Sequence, residues 1–239
     1  MATVMGAPPR GVPKDRFFYT GMAVLTALIV FVGFSPTFFQ RPPDLAPLSP
    51  LFALHGVIFS GWIVLLIVQT SLIAANRRAW HRALGAFGAA LALGMVVLGM
   101  LAAIDSLNRG VSPLPGLDPR SFFAIPVRDI VTFALFVGAA VYWRRDAEMH
   151  KRLMLLATIA LLAAAIARTA GIGQYGPPMF YGLQNLPIVI GMVYDRLMRG
   201  AVHRAWWWGL GLTLGSQVLF LAIARTAPWL AFADLFLHT

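Results

Sequence analysis

The chain has 239 residues, of which 59% are hydrophobic and only 12% charged, against about a quarter charged in a soluble domain; an ordinary water-soluble fold is excluded. A net charge of +10 would suggest nucleic acid in a soluble protein, but here the basic residues stand in short connections between apolar runs, where anionic lipid headgroups are the expected partner and nucleic acid is not. Cysteine is absent and lysine occurs only at Lys14 and Lys151, which excludes disulfides, thiolate metal sites, c-type haem attachment and a retinal Schiff base in the last helix.

Residues 1–16 form a polar tail rich in proline and glycine, with Arg10, Lys14 and Arg16 just ahead of the first apolar run. No small-residue cleavage site stands in the usual place, so the first helix is expected to stay uncleaved. Apolar runs fall at 17–34, 51–75, 82–104, 122–143, 151–170, 178–198 and 205–224, each near the roughly 17–25 residues a membrane span needs. The pattern predicts an all-α integral membrane protein with seven transmembrane helices in one domain, 17–224, followed by a short outer-face tail, 225–239. In such a weave the basic tail falls on the same side as Arg77, Arg78, Arg82, Arg144, Arg145, Lys151, Arg152, Arg196, Arg199 and Arg204. The other side holds only Arg41, Arg109, Arg120, Arg168 and Arg225. The positive-inside rule then puts the N-terminus inside and the C-terminus outside. Arginine far outnumbers lysine, as GC-rich codons give, and the expected location is a bacterial cytoplasmic membrane.

The second predicted helix carries His55, Trp62 and Gln69 at seven-residue spacing, close to two helical turns, so they form one stripe. Lipid offers no hydrogen-bond partner, and the stripe is expected to face the bundle, either as interhelical packing or with His55 as a ligand or substrate contact. The fourth carries Arg128 and Asp129 after Pro126. Neighbours on a helix point about 100° apart, so separate partners are expected: Arg168 for Asp129, and Asp105 for Arg128. Alternatively Pro126 opens the helix and Asp129 meets the positive end of its dipole. The sixth has Gln184 and Asn185 ahead of Pro187, which cannot bond back to the Leu183 carbonyl. An interrupted helix of this kind lines a cavity or is a plain kink. The seventh adds Ser216 and Gln217. Taken together, His55, Arg128, Asp129, Arg168, Gln184, Asn185 and Gln217 concentrate in the outer half and predict an outward-facing polar cavity.

Three histidines, His81, His150 and His203, stand among basic residues at the inside elbows. A helix N-terminus favours their neutral, ligating form. Headgroup contact or capping is the ordinary reading of such histidines, but two of them from neighbouring helices would suit a haem iron, and all three a metal ion. His55 cannot join them, because the ends of a spanning helix lie about 25–30 Å apart.

The His81-Arg82 helix start followed by Leu84-Gly85, and the run His150-Lys151-Arg152-Leu153-Met154, resemble bacterial multi-helix inner-membrane proteins of uncharacterised function. More distantly they are similar to membrane proteins associated with cytochrome oxidase assembly. The resemblance implies a haem- or metal-associated protein of the respiratory membrane, with haem b or a metal ion as cofactor. Two further readings stay open: a small-solute or ion transporter or binding protein using the outer cavity, and a non-catalytic partner within a membrane-protein complex. HExxH, GxSxG and phosphate-loop motifs are absent and no nucleophile–base pair is apparent, so an enzyme is not expected.

Overall fold

The computed structural model describes residues 15–110, 112, 114 and 116–237; Arg10 and Lys14 of the basic tail lie outside the described residues. Regular structure among them is helical throughout: α1 (Asp15–Phe34, continued by a π-helical turn at Ser35–Phe39), α2 (Pro50–Ala74), α3 (Arg78–Asn108), α4 (Pro119–Tyr142), α5 (Ala147–Ala160), α6 (Ala163–Arg168), α7 (Pro177–Arg199), α8 (Arg204–Ile223) and α9 (Ala227–Asp234). Local chemistry explains the boundaries. Ser49 and Asp118 accept N–H bonds ahead of Pro50 and Pro119, Asp146 accepts from the Glu148 and Met149 amides, and Gly200 ends α7 in the left-handed conformation at φ +77°, each a standard helix start or stop.

Six helical stretches are long and apolar enough to cross a bilayer, namely Phe17–Phe39, Pro50–Ala74, Arg78–Asn108, Pro119–Tyr142, Ala147–Arg168 and Arg204–Ile223. The expectation of seven such stretches is corrected at α7. With 23 residues it is long enough, but Gln184, Asn185 and Asp195 dilute its hydropathy. It still runs from one side of the bundle to the other. Pro177, at its start, lines a cavity together with Gly116 from the α3–α4 connection and Arg225 from the α8–α9 connection. Arg199, at its end, pairs with Glu148 at the start of α5. The connections thus sort onto a basic side, holding the elbows before α3, α5 and α8, and a loop side holding the rest.

The centre of the bundle is α4 with α5–α6: in the most apolar 18 residues of each stretch, 72% are buried in α5–α6 against 11% in α2. Close approaches fall at glycines. Leu156 fills the space a side chain would need at Gly209, and the fully buried Trp206 does so at Gly191. At Gly33 the neighbour is backbone: a Cβ there would lie 2.8 Å from Ala165 Cα and closer still to its carbonyl. Small residues that let two helices touch are the usual device in lipid. Gly33→Ala is therefore expected to cost about 1–3 kcal/mol by overpacking, read as a lower thermal-unfolding midpoint of the purified protein. Gly21→Ala, where a Cβ meets open space, serves as the unaffected control.

The segment after α8 is more ordered than a tail. α9 packs on α4, Trp229 Nε1 donates to the Arg120 carbonyl at 2.9 Å, and Asn108 donates to the Phe236 carbonyl at 2.9 Å.

Candidate functional site

Five of the seven residues expected in a polar cavity come together between α4, α7 and α8. Arg128 is fully buried and Asp129 nearly so. Contrary to the expectation of separate partners, they pair with each other, Arg128 Nη1 to Asp129 Oδ1 at 2.5 Å. The 100° rule concerns where side chains leave the backbone, and the arginine stem is long enough to curl back. Arg128 also donates through Nε to Ser216 Oγ at 3.1 Å, through Nη1 to Gln184 Oε1 at 3.4 Å and through Nη2 to the Thr213 carbonyl at 3.3 Å. Its guanidinium lies 5.0 Å from the centre of the Tyr181 ring. Gln217 Nε2 donates to Gln184 Oε1 at 3.0 Å, while Asn185 Nδ2 donates to Gln217 Oε1 at 3.0 Å. Pro126 lies inside α4, seven residues after its proline start, so the dipole explanation for Asp129 does not apply.

Gln184 joins this network to a break in the neighbouring helix. Between α5 and α6 the backbone tightens to Leu161 N–H on the Thr158 carbonyl and Leu162 N–H on the Ile159 carbonyl. Gln184 Nε2 donates to the carbonyls of Ile159 and Ala160, both at 2.8 Å. A side chain inserted into the ladder is a recognised cause of such interruptions. The adjoining face of α7 is different in character: Leu183 and Pro187 line an apolar groove against Leu25 and Val32 of α1. The proline therefore borders hydrocarbon-like surface, not the polar centre.

A cavity of about 310 Å³ opens on the loop side of the network. It is lined by Ser121 and Ile125 of α4, Tyr181 of α7 and Leu221 of α8. Ile125, Tyr181 and Leu221 each stand one helical turn from Arg128, Asp129, Gln184 or Gln217, and Ser121 stands two turns from Arg128, so the cavity is a vestibule above the polar centre and Tyr181 lies between the two.

His55 and Arg168 do not join. His55 stacks on Phe59 with ring centres 4.0 Å apart, close to the Leu98 backbone of α3, and its Nδ1 is buried without a partner among the described residues. α2 packs on α1 and α3, which keeps its stripe away from α7 and α8. Trp62 donates to Thr158 Oγ1 of α5 at 3.1 Å. Arg168 is exposed, donates to the Ala164 carbonyl and lies over the Phe34 ring at 4.9 Å; it does not meet Asp129. Asp105 pairs with Arg109 at 2.6 Å, and so not with Arg128.

At the basic side the three histidines divide. His81 and His150 are each the fourth residue of their helix, and their ring centres lie 6.3 Å apart. His150 Nδ1 is 2.8 Å from the Ala140 carbonyl. With its amide assigned by hydrogen-bond fit, Gln69 donates to His81 Nδ1 at 2.7 Å. His203 instead precedes its helix and accepts the Ala205 N–H on Nδ1 at 3.2 Å. Burial, with the Arg152 charge beside it, holds the His203 imidazole below its ordinary value, as an acceptor cap requires. The difference is positional, fourth residue against cap, so the three do not converge. Among the described residues no three metal-capable side chains gather.

The same side contains a second buried charge network that was not foreseen. Arg152 and Asp195 are both fully buried and form a fork, Nε to Oδ2 at 2.9 Å and Nη2 to Oδ1 at 2.6 Å. Arg152 Nη1 also reaches Glu148 Oε2 at 2.7 Å, and Arg199 Nη1 reaches the same oxygen at 2.9 Å. Arg152 reads in sequence as one more elbow cation, and Asp195 as a carboxylate near a helix end. A carboxylate within an otherwise apolar run is the signal that could have found it. Tyr181 was equally legible, three residues before Gln184 on the same face.

No family model, no curated protein and no solved structure matches this chain.

Proposed function

We propose that the protein is a small-solute transporter or solute-binding protein of a bacterial cytoplasmic membrane. It crosses the membrane seven times, α7 included, with the basic side in the cytoplasm, so the N-terminus is inside, the α8–α9 end is outside and the cavity faces outward. One observation carries the reading: the buried Arg128–Asp129 pair stands where an interrupted helix, α5–α6, meets the polar face of α7, directly below an open vestibule. Ionisable groups inside a span are costly and mark solute or ion pathways, and discontinuous helices near the bilayer midplane are a common setting for transport sites. The test is uptake of a panel of small organic anions, amines and neutral solutes into proteoliposomes. A solute of the panel is expected to accumulate with the native protein. Asp129→Asn, which removes the charge-assisted bond to Arg128, is expected to lower uptake about 10–100-fold while the protein elutes as before. Uptake of every solute equal to that of protein-free vesicles would refute transport.

A second reading is favoured by the His81–His150 pair. Two imidazoles at about 2.0–2.1 Å from one ion leave their ring centres about 5 Å apart in a tetrahedral set and about 6 Å apart when trans, and the 6.3 Å observed suits the trans arrangement. The Ala140 carbonyl holds His150 through Nδ1 and leaves its Nε2 to ligate, whereas a metal on His81 Nε2 would require Gln69 to turn its carbonyl oxygen to a protonated Nδ1. Haem b or a metal ion held there would place the protein among haem- or metal-associated components of the respiratory membrane. A Soret band or stoichiometric metal in the purified protein, lost in His150→Ala, is the result this reading requires.

A further inference from the structure

We propose that the vestibule is a binding site for a small organic carboxylate, a monoanion with an apolar body. This rests on the solute-binding reading above and names the class of solute. Among the described residues that line the vestibule, Arg225 is the only charged one. It is exposed and forms no ion pair with any described residue. Four acids stand on the same side and none is paired with Arg225: Asp118 and Asp234 are held by Arg120, at 3.3 and 3.4 Å, Asp105 by Arg109 at 2.6 Å, and Asp44 lies in the α1–α2 connection, which contributes no residue to the vestibule. The hydrogen bond from Arg120 keeps Asp118 below the usual carboxylate range and therefore charged.

A second observation points to a ligand. Ser121 is 4% exposed and lines the vestibule, yet its hydroxyl makes no hydrogen bond with any described residue. The hydroxyl is therefore open to the vestibule, where a bound ligand can supply the partner that no described side chain does. The Gln174 amide also lines the cavity. One planar guanidinium fork, a hydroxyl and an amide suit the two oxygens of a carboxylate. A dianion would leave one charge uncompensated against the surrounding walls, and an ammonium ion would be repelled by Arg225. Those walls, Leu117, Phe220 and Leu221 among them, are predominantly apolar and call for a hydrocarbon or aromatic body small enough for about 310 Å³.

The experiment is equilibrium binding of radiolabelled benzoate and hexanoate to the full chain in detergent, against benzamide and benzylamine. Saturable binding of a carboxylate is expected, with the amide and amine weaker by about tenfold or more. Arg225→Gln is expected to lower carboxylate affinity by about tenfold or more, Ser121→Ala to lower it by less, and Arg225→Lys to retain part of it. Arg225 is exposed, so the thermal midpoint of Arg225→Gln should match that of the native protein. Equal binding of amide or amine, unchanged carboxylate binding in Arg225→Gln, or no saturable binding of either carboxylate would overturn the proposal. The two readings fail separately. Carboxylate binding without uptake of any solute refutes transport and leaves the site standing, whereas uptake of a cation or neutral solute without carboxylate binding refutes the site alone.

Discussion

Asp195→Asn is expected to lower the stability of the protein by about 3–5 kcal/mol, the usual cost of removing one partner from a buried pair. The geometry explains why so much is at stake. Arg152 has no exposed surface, and two of its guanidinium nitrogens end on the two Asp195 oxygens. Asp195 Oδ2 also accepts the His203 N–H at 3.2 Å, and Oδ1 the Arg199 Nε at 3.4 Å. Asparagine preserves the shape but carries no charge and offers one acceptor where the aspartate offers two, leaving a buried guanidinium half-satisfied. Glu148 cannot take over, because its side chain is 41% exposed and already shared between Lys151, Arg152 and Arg199. The double variant Arg152→Met/Asp195→Leu removes both charges together and is expected to recover most of the loss, since buried pairs replaced by apolar residues of similar size are often neutral. Chemical denaturation of the purified protein measures both. A single-variant loss below about 1 kcal/mol, the range of exposed pairs, would show that the fork is not the clamp described.

The apolar helices were legible because hydrocarbon imposes one rule on every segment it surrounds: length, and absence of charge. α2 and α8 follow it and stand close to where composition puts them. α7 departs from it for the reason that makes it interesting, since the residues that lower its hydropathy are Gln184 and Asn185, which face the polar centre, and Asp195, which pairs with the buried Arg152. The α5–α6 break left no mark in composition. Residues 151–170 read as one run, with neither glycine nor proline at Leu161–Leu162, and the interruption is held by Gln184 from another helix. A distant side chain cannot be read from the stretch it interrupts.

The candidate site was legible in its membership and not in its pairing. Arg128, Asp129, Gln184, Asn185 and Gln217 were all marked by the cost of polar groups in lipid, a property of each residue alone. Which partner each takes depends on helix neighbours. His55 satisfied the same criterion and lies elsewhere, because α2 is flanked by α1 and α3, while the polar centre belongs to α4, α7 and α8. The histidines show the same limit on a smaller scale. Three similar motifs at three elbows put two rings side by side and the third in a cap, a difference of one helical turn.

Arg128→Met separates the structural from the functional role of the polar centre. Arg128 is the only cation paired with Asp129 among the described residues, and it links α4 to Gln184 and Tyr181 on α7 and to Thr213 and Ser216 on α8. Removing it leaves a buried carboxylate alone, so a loss of about 3–5 kcal/mol in stability is expected, and solute uptake is lost with it. Arg128→Lys keeps the charge but not the planar fork, and should recover part of the stability. The informative variant is Arg128→Met/Asp129→Leu. If the pair served packing alone, this protein would be nearly as stable as the native one and would function as well. If the pair belongs to a solute pathway, the double variant regains stability and still takes up no solute, because hydrocarbon at this depth offers nothing to a polar ligand. Unfolding midpoints and uptake measured on the same preparations decide between them, and recovery of uptake along with stability would reduce the Arg128–Asp129 pair to a packing device.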